Sequence, residues 1–314
     1  MSNSANKSKT WALVLAGGQG SRLQGLTQDG QGVAVPKQFC SLNGGASLLQ
    51  DALQRAAAVA ELPQLCTVVT EEHRRWWTPV LSHLPTSNII VQPQNRGTAF
   101  GILLPLLRIA ERDPDATVVL LPADHYVRDE HLMAASLRRA AKLAVADPDR
   151  IYLLGVEPNE PDTELGYILP HSRARDQAVQ VAQFVEKPTE YRARLLLEQG
   201  ALWNIFILAG SVKALLGLFD KKFAATIEAM RVSKGAGITA VYQGLGSVDF
   251  SHDVLQGKES LLKVLAVPYC GWTDLGTPKS IGLTLERLRG DVGAVSHVRF
   301  NAPINLADRF ARVR

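Results

Sequence analysis

Five short apolar runs mark the first half of the chain: Trp11–Leu15, Leu65–Thr70, Asn88–Gln92, Thr117–Leu121 and Ile151–Val156. Each is followed by a polar or glycine-containing turn. Runs of this length and composition read as strands buried on both faces. Between them lie stretches with helical apolar spacing. Ser47 can cap one helix whose apolar face is Leu48, Leu49, Ala52, Leu53 and Ala56. Others are expected over Glu71 to about Leu81, Ala99–Ala110 and Glu130–Ala146. The alternation predicts an α/β fold: a doubly wound, mixed but mainly parallel sheet with helices on both faces. In such sheets ligands bind beyond the carboxyl ends of the strands. Gly17–Gly20, Asn95–Thr98 and Asp124 each follow a predicted strand end, so they are expected to converge.

The first run ends in Ala16-Gly17-Gly18-Gln19-Gly20-Ser21-Arg22. Glycines there let the backbone pass close to a ligand, and the exposed amides of such a turn suit phosphate oxygens. Arg22 can hold a phosphate through two parallel hydrogen bonds. The bland alternative is a tight turn with a surface arginine. The dinucleotide fingerprint fails because Leu23 stands where its third glycine belongs. The P-loop fails because Lys37 lies between Pro36 and Gln38. Gln24–Val35 reads as a long mobile loop of the kind that forms lids.

Length and composition allow one large α/β domain or two smaller units, since 46% of the 314 residues are hydrophobic and 20% charged. The net charge of +4 comes without a basic run, which argues against nucleic acid and leaves room for anionic metabolites. Cys40, Cys66 and Cys270 lack metal-ligand spacing and read as buried thiols in a reducing compartment. No apolar leader and no run of membrane-spanning length occur, so a cytoplasmic location is expected. Residues 1–10 are expected to be a disordered tail, 11–290 a single domain and 291–314 a C-terminal tail.

The second half reads differently. A turn is expected at Gly166-Tyr167-Ile168, a strand over Gln180–Glu186 and a helix over Thr189–Gln199. A strand over Trp203–Leu208 follows, then helices over Ser211–Asp220 and Ala225 to about Val232. Leu261–Pro268 is the last strand, and Thr277 begins the last helix with Pro278 at its first position.

Motifs along the chain carry a resemblance. They are Leu15-Ala16-Gly17-Gly18-x-Gly20-Ser21-Arg22-Leu23, Pro36-Lys37-Gln38-Phe39, Gln92-Pro93-x-Asn95-Arg96-Gly97-Thr98-Ala99 and Ala123-Asp124-His125. Further on stand Leu154-Gly155-Val156-Glu157-Pro158, Gly166-Tyr167-Ile168, Phe184-Val185-Glu186-Lys187-Pro188, Trp203-Asn204 and Gly271-Trp272-x-Asp274-x-Gly276. In this order they resemble the sugar-nucleotide pyrophosphorylases, most closely the mannose-1-phosphate guanylyltransferases, over residues 11 to about 285. The resemblance implies a nucleotide-diphospho-sugar transferase-like fold, with residues 11–157 as the nucleotide half and 158–290 as a smaller sugar-phosphate half. It implies that GTP and mannose 1-phosphate react to give GDP-mannose and pyrophosphate.

Site roles follow from the same resemblance. Ala16, Gly17, Gly18, Gly20 and Ser21 would hold the nucleotide, with Gln92, Asn95, Gly97 and Thr98 near the base. Arg22 and Lys37 would bind the triphosphate and the leaving pyrophosphate. Asp124 and Asp274 would share one Mg²⁺. Gly166, Glu186 and Asn204 would form the sugar pocket, and Lys187 would reach the sugar phosphate. Arg22, Lys37, Asp124, Lys187 and Asp274 are thus the expected catalytic set, and a homodimer is the expected assembly. His125 has two readings, a structural partner of Asp124 or a ligand contact. Trp203, Phe206 and Trp272 are expected in the core.

Three departures stand out, one of them Leu165, which precedes Gly166 where the family commonly has tyrosine. The Arg22–Lys37 loop is longer than the family pattern. Ile205 replaces the small residue that usually follows the asparagine, and is expected to narrow the sugar pocket or redirect its strand. The rival readings are another nucleotide and hexose-phosphate pair, or a catalytically weak regulatory paralogue. The second, isomerase domain of some longer relatives is not expected here.

Overall fold

The computed structural model describes residues 10–20, 23, 25–28, 32–173, 177–219 and 221–291. Nine strands, β1 (Thr10–Leu15), β2 (Leu65–Thr70), β3 (Ile89–Gln92), β4 (Thr117–Pro122), β5 (Ile151–Val156), β6 (Tyr167–Pro170), β7 (Val179–Val185), β8 (Leu202–Ser211) and β9 (Leu262–Ala266), make one sheet in the order β3-β2-β1-β4-β8-β5-β9-β7-β6. The helices are α1 (Leu48–Ala56), α2 (Arg74–Leu81), α3 (Thr98–Arg112), α4 (Glu130–Ala146), α5 (Glu190–Glu198), α6 (Val212–Gly217), α7 (Ala224–Val232), α8 (Ala236–Gln243) and α9 (Pro278–Asp291). Ser47 caps α1 as expected, in a reciprocal box with Gln50.

Successive strand residues point to opposite faces, and each face is covered. Ala12, Val14, Leu121 and Leu154 pack with α1 and α4 residues such as Leu49, Leu53 and Leu137. Leu13, Leu120 and Leu153 pack with Ile102, Leu106 and Ile109 of α3 and Leu215 of α6 on the other face. β2, β4 and β5 are buried along their whole length, which explains their uninterrupted apolar sequences.

The sheet is mixed, and the expectation that it is mainly parallel needs correction. β3-β2-β1-β4 is parallel throughout, as is β5 with β9. β8 then inserts antiparallel between β4 and β5, and the remaining pairings are antiparallel. Strand–helix alternation in the sequence gives no sign that a later strand separates β4 from β5. β6 returns to pair β8, so β8, β5, β9, β7 and β6 close into a ring. The expected turn at Gly166-Tyr167-Ile168 is therefore the start of β6.

Other differences are local. Thr10 opens β1 rather than ending a tail, and the remainder of the expected tail lies outside the described residues. Asp291 closes α9, and residues 292–314 lie outside the description. α8 and a π-helical turn over Ser251–Leu255 were not foreseen. Within Gln24–Val35, of which Gln24 and residues 29–31 are outside the description, Gln28 bridges Ala34 and the Val35 N–H donates to the Thr27 carbonyl. All three cysteines are buried and free, and burial pushes the Cys40 and Cys66 thiols up to about 12. Among the described residues no helix is long and apolar enough to cross a membrane.

β8 carries an irregularity that bears on Ile205. Leu208 faces Leu153 and Asn204 faces Gly155, so β8 bulges between these pairs. Asn204 and Phe206 fall on one face and Ile205 on the other, fully buried with Leu154 and Ile207. Ile205 is a core residue. Ile205→Ala is expected to lower the unfolding free energy by about 3 kcal/mol, read as a lower urea midpoint with an unchanged m-value. A loss below about 1 kcal/mol would contradict this packing.

Candidate active site

β3, β2, β1 and β4 run parallel in that order, and the turns after β1, β3 and β4 open onto one cleft of about 450 Å³. The Ala16 N–H donates to the Val68 carbonyl and the Ala123 N–H to the Leu15 carbonyl, so the β1 and β4 ladders continue into the turns. Gly17 and Gly18 line the cleft. Gln38 braces them, its Nε2 donating to the carbonyls of Ala16 (3.0 Å) and Gly18 (2.8 Å). Asn95 adds a third tie through Nδ2 to the Gly17 carbonyl, at 3.1 Å. Its Oδ1 accepts from the Gly97 N–H. Gly97, at φ +85°, precedes α3, and a Cβ there would collide with the backbone of Val248. Thr98, at the start of α3, accepts from the Phe250 N–H through its hydroxyl.

Of the expected nucleotide residues, Gly17, Gly18, Gln92, Asn95, Gly97, Thr98 and Asp124 all line this cleft. Ala16 is buried immediately behind it. Gly20, at φ +60°, packs against the Lys37 backbone instead. Ser21 and Arg22 lie outside the described residues.

Lys37 is not on the cleft wall. Its ammonium donates to the Asp274 carbonyl (2.6 Å) and the Leu275 carbonyl (3.4 Å) and pairs with Asp124 Oδ2 at 3.1 Å. Burial works to raise the Asp124 carboxyl, but Lys37 and then His125 outweigh it and hold the group below the usual carboxylate range. The Asp124 side chain nonetheless keeps 38% of its surface open toward the cleft. Asp274 also lines the cleft.

His125 Nδ1 accepts from the Trp272 indole N–H at 3.2 Å. The imidazole proton therefore sits on Nε2, which faces Asp124 Oδ1 at 3.8 Å. Burial pushes the His125 pKa down to about 4 against the pull of Asp124. His125 is neutral near pH 7 and belongs to the support of Asp124 as well as to the wall. Phe206 and Trp272, expected in the core, are half-buried and line the cleft.

The sugar-side expectations meet at the same cleft. Gly166, Glu186, Lys187 and Asn204 line it. The Asn204 N–H donates to the Gly166 carbonyl at 2.8 Å, and Asn204 Oδ1 accepts from the Phe206 N–H. A Cβ on Gly166 would stand 2.5 Å from Glu186 Oε2. Burial and then Asp249 push the Glu186 carboxyl up to about 7. Lys187, Phe206 and Leu275 all hold positive φ without being glycine. Such strain persists only where surrounding structure enforces it, and it concentrates at functional sites.

The sequence reading missed Gln38, Glu164 and the segment Ser247, Asp249 and Ser251 as cleft residues, and noted Leu165 only as a departure from the family pattern. Only Gln38 lay inside a noted motif. The Ser247–Ser251 segment reaches the cleft through non-local bonds to Arg96, Thr98 and Ala99, for which its own sequence gives no signal.

Comparison with known proteins agrees with this architecture. The family model described as "Nucleotidyl transferase" matches residues 11–286. The mannose-1-phosphate guanylyltransferase of Escherichia coli is 32% identical over 248 residues, covering 77% of this chain and 50% of that protein. The alginate biosynthesis protein AlgA of Pseudomonas syringae pv. tomato is 34% identical over 199 residues, covering 61% of this chain and 39% of that protein. The chain thus spans about half the length of the curated relatives it matches. Among solved structures, one described as mannose-1-phosphate geranyltransferase from Thermus thermophilus superposes with a TM-score of 0.73 at 28% identity, over 85% of this chain and 76% of that one. On the extent of the family match, the chain belongs to the nucleotidyl transferase family.

Proposed function

We propose that the protein joins GTP and mannose 1-phosphate to give GDP-mannose and pyrophosphate. One observation carries the reading. The Gly17–Gly18 and Asn95–Thr98 turns, the sugar-side residues Gly166, Glu186 and Asn204, and two carboxylates, Asp124 and Asp274, all border a single cleft. The likeness to the mannose-1-phosphate guanylyltransferase of Escherichia coli supports this nucleotide and sugar.

The charge of the cleft supports a divalent cation. Its described lining carries five acidic residues, Asp124, Glu164, Glu186, Asp249 and Asp274, against one lysine, Lys187, and a neutral His125. A nucleoside triphosphate and a sugar monophosphate would both be repelled from such a surface unless a cation stood between. Asp124 and Asp274 offer the hard oxygen donors that Mg²⁺ takes, with phosphate oxygens and water completing the set. Bound there, Mg²⁺ would screen the phosphate charge as it redistributes.

The remaining work belongs to the protein. A sugar-phosphate oxygen attacks the α-phosphorus of GTP, and the bond to the β-phosphate oxygen breaks, releasing pyrophosphate with the electron pair. The nucleophile is already anionic near neutrality, since the second phosphate pKa is about 6, so no side-chain base is needed. The glycine turn and Asn95–Thr98 hold the nucleotide, and Glu186, Asn204 and the Gly166 backbone orient the sugar. Lys187 and Arg22 neutralise phosphate. Lys37 fixes Asp124 and the Asp274 turn, and contacts phosphate on exchanging one of those partners. A cytoplasmic homodimer completes the proposal. Ile205, the departure expected to narrow the sugar pocket or redirect its strand, faces the core and so lends no support to a regulatory paralogue.

The decisive assay is pyrophosphate release with Mg²⁺, crossing five nucleoside triphosphates with mannose, glucose and other hexose 1-phosphates. Release only with GTP and mannose 1-phosphate is expected, and Asp124→Ala should lower kcat by about a hundredfold or more. Near-normal turnover in that variant would remove the metal role.

Glu186 predicts a pH dependence. Above its pKa of about 7 it is a carboxylate that accepts charge-assisted hydrogen bonds from sugar hydroxyls, and below it is protonated and accepts them weakly. The KM for mannose 1-phosphate should rise as pH falls from 8 to 6, while that for GTP stays flat. Glu186→Gln should raise the KM at pH 8 and leave only the titration of the sugar phosphate itself. An unchanged profile in the variant would exclude Glu186 as its origin.

A further inference from the structure

The turn after β4 and the turn before α9 are stapled by two backbone hydrogen bonds. The Tyr126 N–H donates to the Thr273 carbonyl and the Thr273 N–H to the Tyr126 carbonyl, both at 2.9 Å. This bridge sets the preceding residues, His125 and Trp272, side by side. Their rings stand edge to face, 5.3 Å apart at 82°. One hydrogen bond joins them, from the indole N–H to His125 Nδ1 at 3.2 Å.

The direction of that bond has one reading. An indole nitrogen donates and never accepts, so Nδ1 is the acceptor. An imidazolium has no acceptor, and the other neutral tautomer has none at Nδ1. The bond therefore leaves a single form, neutral with its proton on Nε2. Within the described residues that proton has no acceptor. Asp124 Oδ1 lies 3.8 Å from Nε2, beyond hydrogen-bond reach. Nor is the atom sealed in the interior. Among the described residues the buried side-chain polar atoms without a partner are Thr67 Oγ1 and Trp203 Nε1. His125 lines the cleft with 14% of its side chain open. Its Nε2–H is a donor of fixed position that is free to meet a ligand.

We propose that His125 donates its Nε2–H to an α-phosphate oxygen of the bound nucleotide, and that Trp272 is the positioning residue that keeps the proton on that nitrogen. The proposal rests on reading the cleft as the site of nucleotidyl transfer. The donor stands beside Asp124, where the reacting phosphates would meet, and phosphate oxygens are acceptors. As the sugar-phosphate oxygen bonds to the α-phosphorus and the β-phosphate oxygen departs with the electron pair, charge spreads over the non-bridging α-oxygens. A donor already in place stabilises that charge without reorganising. The proton stays on Nε2 throughout, so the group is neither acid nor base. Being neutral, it leaves the charge of Asp124 uncancelled.

The test compares turnover of GTP with that of the two diastereomers of GTPαS at saturating Mg²⁺ and mannose 1-phosphate. In each diastereomer sulfur, a weak acceptor, replaces one non-bridging α-oxygen. His125→Asn removes the group at the Nε2 position, and His125→Gln places an amide N–H₂ near it. His125→Asn should lower kcat for GTP about tenfold to a hundredfold with little change in KM, and His125→Gln should recover most of the loss. For one diastereomer, the ratio of kcat with GTP to kcat with GTPαS should be about tenfold larger in the wild type than in His125→Asn. Trp272→Phe should shrink the same ratio, with nothing further in the His125→Asn background. Nitrogen NMR of labelled histidine should show His125 protonated on Nε2 alone in the wild type and on either nitrogen in Trp272→Phe. Equal ratios in the wild type and His125→Asn for both diastereomers would overturn the phosphate contact and leave nucleotidyl transfer standing. So would a loss in His125→Asn that excess Mg²⁺ restores, since His125 would then act through Asp124. A ratio untouched by Trp272→Phe would overturn the positioning role. A wild type that releases no pyrophosphate from GTP would overturn both the transfer reading and this proposal.

Discussion

The ammonium of Lys37 ties together three parts of the chain that the sequence keeps far apart. Its own turn follows the glycine loop, Asp124 follows β4, and the Asp274 and Leu275 carbonyls belong to the turn before α9. With only 7% of its side chain exposed, such a cation is tolerated because a carboxylate and two carbonyls replace its lost water. Gly20 packs on the Lys37 backbone, so the glycine loop is set by the same anchor. Removing the ammonium would leave Asp124 repelled by its acidic neighbours and two carbonyls without donors. The cleft wall would lose its shape before any ligand arrived.

The sheet topology explains why the cleft has two kinds of floor. The parallel strands β3, β2, β1 and β4 end together, and their turns present backbone amides and small residues. β8 then runs antiparallel and bulges, which brings Asn204 and Phe206 to the same cleft from a strand of opposite direction. The closed ring of β8, β5, β9, β7 and β6 fixes Gly166 beside Asn204 and Glu186. Phe206 and Lys187 are left at positive φ, with the Phe206 N–H held by Asn204. Sheet closure supplies the constraint that such backbone needs.

Those parts of the fold with local causes were legible in the sequence. β2, β4 and β5 announced themselves because strands buried on both faces are continuously apolar. The α1 cap was visible as Ser47 before an apolar face. The site residues at strand ends were legible from motif order, and most of them meet at one cleft. What failed had non-local causes. No residue of β4 or β5 signals that β8 will separate them. The four residues of β6 look like a turn until their partners are known. Ile205 was judged by its identity alone, whereas period-two alternation places it opposite Asn204 and Phe206. Ser247–Ser251 belongs to the cleft only because Arg96, Gly97 and Thr98 pack on it.

Two carboxylates in this cleft are driven in opposite directions, and the difference assigns them different work. Asp124 is held ionised chiefly by Lys37, so it is a fixed negative charge across the physiological range. That suits a group whose role is to hold a cation. Glu186 has no such partner close enough to offset its burial and the nearby Asp249, and its pKa of about 7 lets it exist in either form. Such a group suits hydrogen bonding to neutral hydroxyls better than charge neutralisation. Environments that push like groups apart are how one cleft performs two tasks. Here the separation follows from topology: Asp124 lies at the end of a parallel strand within reach of the Lys37 turn, and Glu186 lies at the end of β7 in the closed ring. The same arrangement that bonds Lys37 to Asp124 keeps its charge from Glu186, so exchanging the two acids would not exchange their roles.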